Sequence, residues 1–239
     1  MQLLVAVRIM NQSNTLEYIL ASYPRSANHW LRYIIEYLSK QPTLGEGNRN
    51  RDTKDPPVFK RLGVEDHYVT TEAIAVKRHR IRDDDDRSKK LIFVVREYKE
   101  VIFRHFNQPF SLFKMRRLEK HIRMYLSLIQ HYHNWPSDRL MIRYEDLIKD
   151  PEKTITTIAQ FIDKDDNLSD LLENLTHHQR RCVSMYDACK GSHTKGKSTN
   201  HHSNQYGAAW KRYLDWRIQS AYESLSNKSK LTGSATLPE

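Results

Sequence analysis

The stretch LEYILASYPRSANHWLRYIIEYL, residues 16–38, decides how the rest of the chain is read. Its first part, Leu16 to Tyr23, is an apolar run of strand length. Its last part changes period, with Trp30, Ile34, Ile35 and Leu38 on one helical face. Between them lies Pro24-Arg25-Ser26-Ala27-Asn28-His29. A strand that turns directly into a helix aims the first backbone N–H groups, and the positive end of the helix, at one point in space. Arg25 can fork onto two oxygens of a phosphate or sulfate, and Ser26 and Asn28 can donate further bonds. A plainer reading of the same residues is a strand followed by a capped helix with a surface arginine. Spacing alone does not choose between the two.

Three more short apolar stretches have the look of buried parallel strands: Ala73 to Val76, Leu91 to Val95, and Leu140 to Ile142. Helical pattern separates them. Leu118, Ile122, Tyr125, Ile129 and Tyr132 step by four and three, the spacing of a helix stripe. Asp150-Pro151-Glu152 reads as an N-cap, a proline at the first helical position and an acidic first turn, with Ile155, Ile158, Ala159 and Ile162 as the buried face. The expected fold is therefore α/β, a single domain over residues 1–223 with a central parallel sheet of four to five strands flanked by helices. A polar tail, 224–239, is expected to fray. Two long irregular segments, Gln41 to Pro57 and Gly191 to Tyr206, are expected to be functional or mobile.

In an open parallel sheet, ligands bind beyond the carboxyl ends of the strands. The first strand is followed by the Arg25 turn, the second by Lys77-Arg78-His79, the third by Arg96-Glu97-Tyr98-Lys99 and the fourth by Tyr144-Glu145-Asp146. Three of these four ends carry cations, which makes this edge an anion site by geometry.

Composition narrows the classes. In 239 residues, 38% are hydrophobic and 28% charged, the balance of a folded globular chain. No run approaches the ~20 apolar residues of a membrane span. The opening MQLLVAVRIMNQSN is interrupted by Arg8 and Asn11, so no secretory signal is expected. Cys182 and Cys189 are too few for a disulfide framework or a four-cysteine zinc site, and a cytoplasmic setting is expected. The net charge of +10 implies anionic partners without saying which. Gly45 and Gly47 begin a G-x-G, but Asn50 stands in place of the third glycine, which removes the dinucleotide fingerprint.

At this point the chain resembles a known family. ASYPRSANHWLRYIIEYL (21–38) looks like the phosphosulfate loop of the sulfotransferases. LIFVVREYKEVIFRH (91–105) looks like their second signature, and RLMIRYEDLIKDPEKTI (139–155) like their Y-E-D-L-x-x-D-P turn into a helix. The three occur in the family's order over about residues 16–163. The resemblance implies a P-loop-like phosphosulfate loop after the first core strand. It also implies transfer of a sulfuryl group from 3′-phosphoadenosine 5′-phosphosulfate (PAPS) to a hydroxyl or amine of a small-molecule or glycan acceptor. By the resemblance, Arg25 grips the 5′-phosphosulfate within the loop Ser26, Ala27, Asn28 and His29, with Trp30 beside the nucleotide. Arg96 binds the 3′-phosphate and Tyr144 lies near the adenine. Lys77 and His79 match K-x-H, with His79 as general base, while Lys77 and Arg25 offset charge on the transferred group. No metal is implied.

Three departures stand out. Ala27 replaces the usual glycine, so the loop is expected to manage without positive φ. Arg104 stands where many members have a serine on the 3′-phosphate, and it could serve the same anion. Lys195 and Gly196 are all that matches the family's C-terminal R-K-G, and they are expected near the 3′-phosphate. Two rival readings stay open. Gly191 to Ser198 satisfies the G-x-x-x-x-G-K-[ST] loop of an ATP-dependent kinase, although poor helix sequence follows it. A basic polyanion- or nucleic-acid-binding protein would also explain the charge, although no nucleic-acid motif is present. Asp83 to Asp86 are read as a solvated loop, and the pairs His177-His178 and His131 with His133 as surface or helix-end residues. Oligomeric state is open.

Overall fold

Tyr18–Ser22 form β1, the middle strand of the molecule, and all five of its residues are buried. A strand covered on both faces must be apolar throughout, which is why YILAS lacks alternation. The computed structural model describes residues 16–46, 56–106, 115–188 and 207–232. β1 pairs in parallel with β3 (Ala75–Arg78) on one side and β4 (Lys90–Val95) on the other. β2 (Thr43–Leu44) adds outside β3, and β5 (Arg139–Arg143) outside β4. The order is β2-β3-β1-β4-β5, all parallel. Lys77 and Arg78 thus belong to β3 rather than following it. β2 lies within Gln41 to Pro57, where an irregular loop is expected.

Alternation along the strands divides the core in two. Tyr18 and Leu20 face α1 (Asn28–Ser39) and α6 (Pro151–Ile162), through Leu31, Ile34, Ile35, Leu38, Ile155, Ile158 and Ile162. Ile19, Ala21 and Tyr23 face α3 (Tyr98–Phe106), α4 (Met115–His133) and α9 (Ala208–Thr232). The predicted stripe on α4 is buried at Leu118, Ile122, Tyr125 and Ile129. Each such side chain contributes on the order of 1.5–3 kcal/mol by leaving water. The shorter helices are α2 (Val58–Arg61), α5 (Tyr144–Lys149), α7 (Leu168–Glu173) and α8 (Leu175–Ala188). The Asp150 side chain accepts from Lys153 N with Pro151 in the first turn of α6, as the sequence predicts. α9 is helical through Thr232 and so crosses residue 224, the expected start of a frayed tail.

Some polar residues are structural where the sequence suggested surface. Asp85 is buried. It binds Arg78 at 2.8 Å and accepts from Arg82 N, so the Asp83–Asp86 loop is anchored rather than simply solvated. His178 is buried too, its Nδ1 2.8 Å from Tyr33 Oη. Burial pushes its pKa down, which keeps the ring neutral. Cys182 is buried, and its thiol is pushed up to about 12.

Glu36 and Arg32 of α1, both 0% exposed, organise the β2 side of the sheet. Glu36 carboxylate oxygens accept from Thr43 N (3.2 Å), Val58 N (2.7 Å), Phe59 N (3.3 Å), and the hydroxyls of Thr43 and Tyr68. Arg32 donates to Thr43 Oγ1 (2.6 Å), Thr43 O (3.0 Å) and Pro56 O (2.9 Å). Burial raises the pKa of Glu36, against the pull of Arg32 and these donors. Removing one member of such a pair strands the other charge in the core, at a cost of about 3–5 kcal/mol. We therefore expect Glu36→Ala to lower stability by that amount in denaturant unfolding, where an exposed i,i+4 pair would cost under about 0.5 kcal/mol.

Candidate active site

The carboxyl ends of β1, β3, β4 and β5 share one edge, and the predicted residues gather there. β1 ends at Ser22, and the chain turns through Tyr23 to Ala27 into α1. Arg25 has φ 75° and Ala27 has φ 58°. The expectation that this loop avoids positive φ is therefore corrected: the turn demands it, and two residues with Cβ atoms supply it. Left-handed backbone costs such residues ~1–2 kcal/mol each. Ala27 is the N-cap of α1 and provides no side-chain cap, so the first N–H groups of the helix are left for another acceptor. Ser26 is 1% exposed, and its Oγ has no hydrogen-bond partner among the described residues. The same is true of Asn28 Oδ1, while Asn28 Nδ2 donates to Ser22 Oγ at 2.9 Å. A buried hydroxyl left unsatisfied costs ~1–3 kcal/mol, so a ligand oxygen at this loop would relieve it. His29 follows on α1, and Trp30 stacks on Tyr33 with ring centroids 5.3 Å apart.

Arg104 is within electrostatic reach of both Arg25 and Arg96 here. Arg96, just after β4, is buried and donates from Nη1 to Arg25 O at 3.0 Å. Its guanidinium carbon lies 3.9 Å from the centre of the Tyr144 ring, at the start of α5. Tyr125 Oη donates to Arg96 O at 3.1 Å, which ties this segment to α4. Burial, and then the charge of Arg104, lower the pKa of Arg25. Burial, and then the charge of Arg96, lower that of Arg104. An arginine stays protonated under such shifts. They register like charges held close together, the condition of a site built for a polyanion. Arg104 thus joins the cluster that its place in the sequence only suggested.

His79 lies just past β3 and receives its orientation from β1. Its Nδ1 is 2.8 Å from Ser22 O. A carbonyl can only accept, so Nδ1 carries the hydrogen and Nε2 is the basic nitrogen of the neutral ring. Nε2 is 3.9 Å from Glu46 Oε2. Lys77 is buried in β3, on the face it shares with Ala75 and Leu20 by alternation. Arg78 points to Asp85 instead and takes no part in the edge. Lys195, Gly196 and the Gly191–Ser198 loop lie outside the described residues. The sequence does not single out Glu46, which sits in a segment without period, or Tyr125, which falls on the apolar stripe of α4. Among the described residues no group of three or more His, Cys, Asp or Glu side chains could hold a metal ion, and no helix is long and apolar enough to cross a membrane.

A sequence model of the sulfotransferase domain matches residues 17–234. The chain belongs to the sulfotransferase family, and it is a sulfotransferase enzyme. Its fold is also found in solved members. A mouse sulfotransferase, SULT7A1, solved in complex with PAP, superposes with a TM-score of 0.53 at 17% identity, covering 87% of this chain and 84% of the other. A retinol dehydratase solved with retinol and PAP superposes with a TM-score of 0.57 at 15% identity, over 89% of this chain and 82% of its own. At these identities the likeness is one of fold. The arginine-lined edge described above is this sulfotransferase's own.

The strained alanine gives a test of the loop. Ala27→Gly removes the left-handed cost of ~1–2 kcal/mol and adds about 0.4–1 kcal/mol of unfolded-state entropy, so stability should stay level or rise by up to about 1.6 kcal/mol. Ala27→Val places a β-branched residue at the same φ and should lose more than about 1 kcal/mol. Denaturant midpoints would measure both, and equal effects of the two substitutions would contradict the strain.

Proposed function

We propose that this sulfotransferase moves a sulfuryl group from PAPS to a hydroxyl or amine of a small-molecule or glycan acceptor, in a cytoplasmic setting, with His79 as general base. The observation that carries the reading is Arg96 bonded to the Arg25 carbonyl next to the uncapped start of α1, beside the buried Ser26 hydroxyl that has no partner among the described residues, with Arg104 in electrostatic reach of both arginines. PAP is bound in both solved relatives, and a nucleotide with phosphates at its 3′ and 5′ ends suits a cluster of separated cations.

Each residue then has a task. The N–H groups at the start of α1, with Arg25 and the Ser26 hydroxyl, hold the 5′-phosphosulfate. Arg96 and Arg104 take the 3′-phosphate, with Lys195 and Gly196 as its partners from the C-terminal loop. Trp30 and Tyr144 flank the base. The acceptor oxygen attacks sulfur from the side opposite the bridging oxygen. As the new S–O bond forms, the acceptor proton passes to His79 Nε2, and the old S–O bond breaks to leave its electron pair on the 5′-phosphate. Arg25 and Lys77 offset the charge that grows there, which is where preorganised cations lower a barrier most.

Two experiments test this. In thermal unfolding, PAP at about 100 times its dissociation constant should stabilise by roughly 2.7 kcal/mol, about 5–10 °C for a domain of this size, and should far exceed 5′-AMP. Arg96→Ala should shrink the PAP shift toward that of 5′-AMP. A shift with ATP–magnesium alone would turn the reading to a kinase using Gly191–Ser198. Separately, His79→Ala should cut turnover by about 10²–10⁴-fold while the PAP shift stays within error. Undiminished turnover would remove His79 as the base.

A further inference from the structure

Glu46 has no part in holding a nucleotide, and its sign is opposite to that of the arginines along the edge. Its position is nevertheless well determined. β2 pairs with β3 at Thr43↔Ala75 and Leu44↔Val76, and Thr43 is clamped by the buried Arg32 and Glu36. Glu46 is two residues past β2, and His79 is one residue past β3, so the shared register brings both to the same edge. Their facing atoms, Glu46 Oε2 and His79 Nε2, are 3.9 Å apart. That is too long for a hydrogen bond between them, which would lie near 2.8–3.0 Å. Both side chains are about a quarter exposed, at 25% and 23%, so an ion pair alone would stabilise little.

The separation suits something placed between them. Nε2 is an acceptor and so is the carboxylate. Two donors held gauche on neighbouring atoms of one molecule lie about one hydrogen-bond length apart, and can reach both acceptors at once. The geometry points to Glu46 as a specificity residue: the acceptor of this enzyme carries a second donor, a hydroxyl or an ammonium, on the atom next to the one that bears its nucleophilic oxygen. The nucleophilic O–H faces His79 Nε2 and the neighbouring donor faces Glu46. A carboxylate this close to an incoming sulfuryl group opposes it electrostatically. A donor bound between them removes that opposition, so acceptors without one leave the carboxylate unpaired and are selected against. This inference rests on His79 as the base.

The test compares catechol with phenol, and trans-1,2-cyclohexanediol and trans-2-aminocyclohexanol with cyclohexanol, as acceptors for PAPS. Rates of PAP formation give kcat/KM for the wild type, Glu46→Gln and Glu46→Leu. In the wild type the vicinal donor should raise kcat/KM by about tenfold or more in at least one pair. Glu46→Leu should bring that ratio below about three. Glu46→Gln should keep part of the preference for a diol and lose that for the ammonium, which distinguishes the two kinds of donor. Taking ratios between variants cancels the intrinsic reactivity of each acceptor. Several outcomes overturn the inference: a ratio near one in the wild type, a ratio that survives in Glu46→Leu, equal losses on both members of a pair, or no turnover of any vicinal acceptor. The last would be this inference's failure alone where PAP still stabilises the protein. Absence of any PAP shift would instead sink the underlying sulfotransfer reading. A retained PAP shift in Glu46→Leu shows that the variant is folded.

Discussion

Like charges repel, and the carboxyl edge of this sheet exists by overcoming that repulsion. Arg25, Arg96 and Arg104 are partly or wholly withdrawn from water; burial and then the charge of Arg104 lower the proton affinity of Arg25, and burial and then the charge of Arg96 lower that of Arg104. Arg25 rides on a turn whose backbone is dictated by the passage from β1 to α1. Arg96 is held by a carbonyl, by the Tyr144 ring and, through its own backbone, by Tyr125. A folded protein keeps such an arrangement only if the surrounding structure over-determines it, and strain of this kind gathers where a ligand will later relieve it. The left-handed Arg25 and Ala27 and the unbonded Ser26 hydroxyl belong to the same account.

The opposite flank of the sheet is built on the reverse principle. There Glu36 and Arg32 are fully buried and neutralise each other, and most of their remaining hydrogen-bonding capacity goes to the backbone of β2 and α2. The result is a two-residue strand held firmly enough to carry Glu46 to the side of His79. The part of the edge around Arg25, Arg96 and Arg104 is therefore positive. The part beside β2 is internally balanced. A transfer reaction between two unlike substrates needs this asymmetry: one side must bind a polyanion tightly, and the other must position a weakly charged nucleophile.

Much of this could be read from residue order. Strands β1, β3, β4 and β5, the stripe of α4 and the Asp150 cap all follow from periodicity and local chemistry, and Arg25 and Arg96 follow from asking what comes after each strand. What could not be read depends on burial, which is a tertiary fact. Arg32 and Glu36 have the same i,i+4 spacing as any surface pair. His178 and Asp85 carry no local sign that they turn inward, and β2 is too short to show a period. Ala27 is the instructive error. Residue type argued against positive φ, yet the turn between β1 and α1 imposes it, because a ~1–2 kcal/mol local penalty is small beside the packing of the strand and helix on either side.

The position of His79 ties these strands of argument together. Its imidazole is oriented by the carbonyl of Ser22, the last residue of β1, and the same strand continues into the Arg25–Ala27 turn. Ser22 also accepts from Asn28 through its hydroxyl, so one residue fixes both the loop and the ring. The bond to the Ser22 carbonyl ties His79, which sits just past β3, to the turn that leaves β1, and so fixes their separation. In-line transfer is sensitive to that separation above all else, since reacting atoms must be held in near-attack geometry. A base anchored to the neighbouring strand's own backbone is more rigid in this respect than one held by a second mobile side chain, and the central place of β1 in the sheet makes it the strand least able to move.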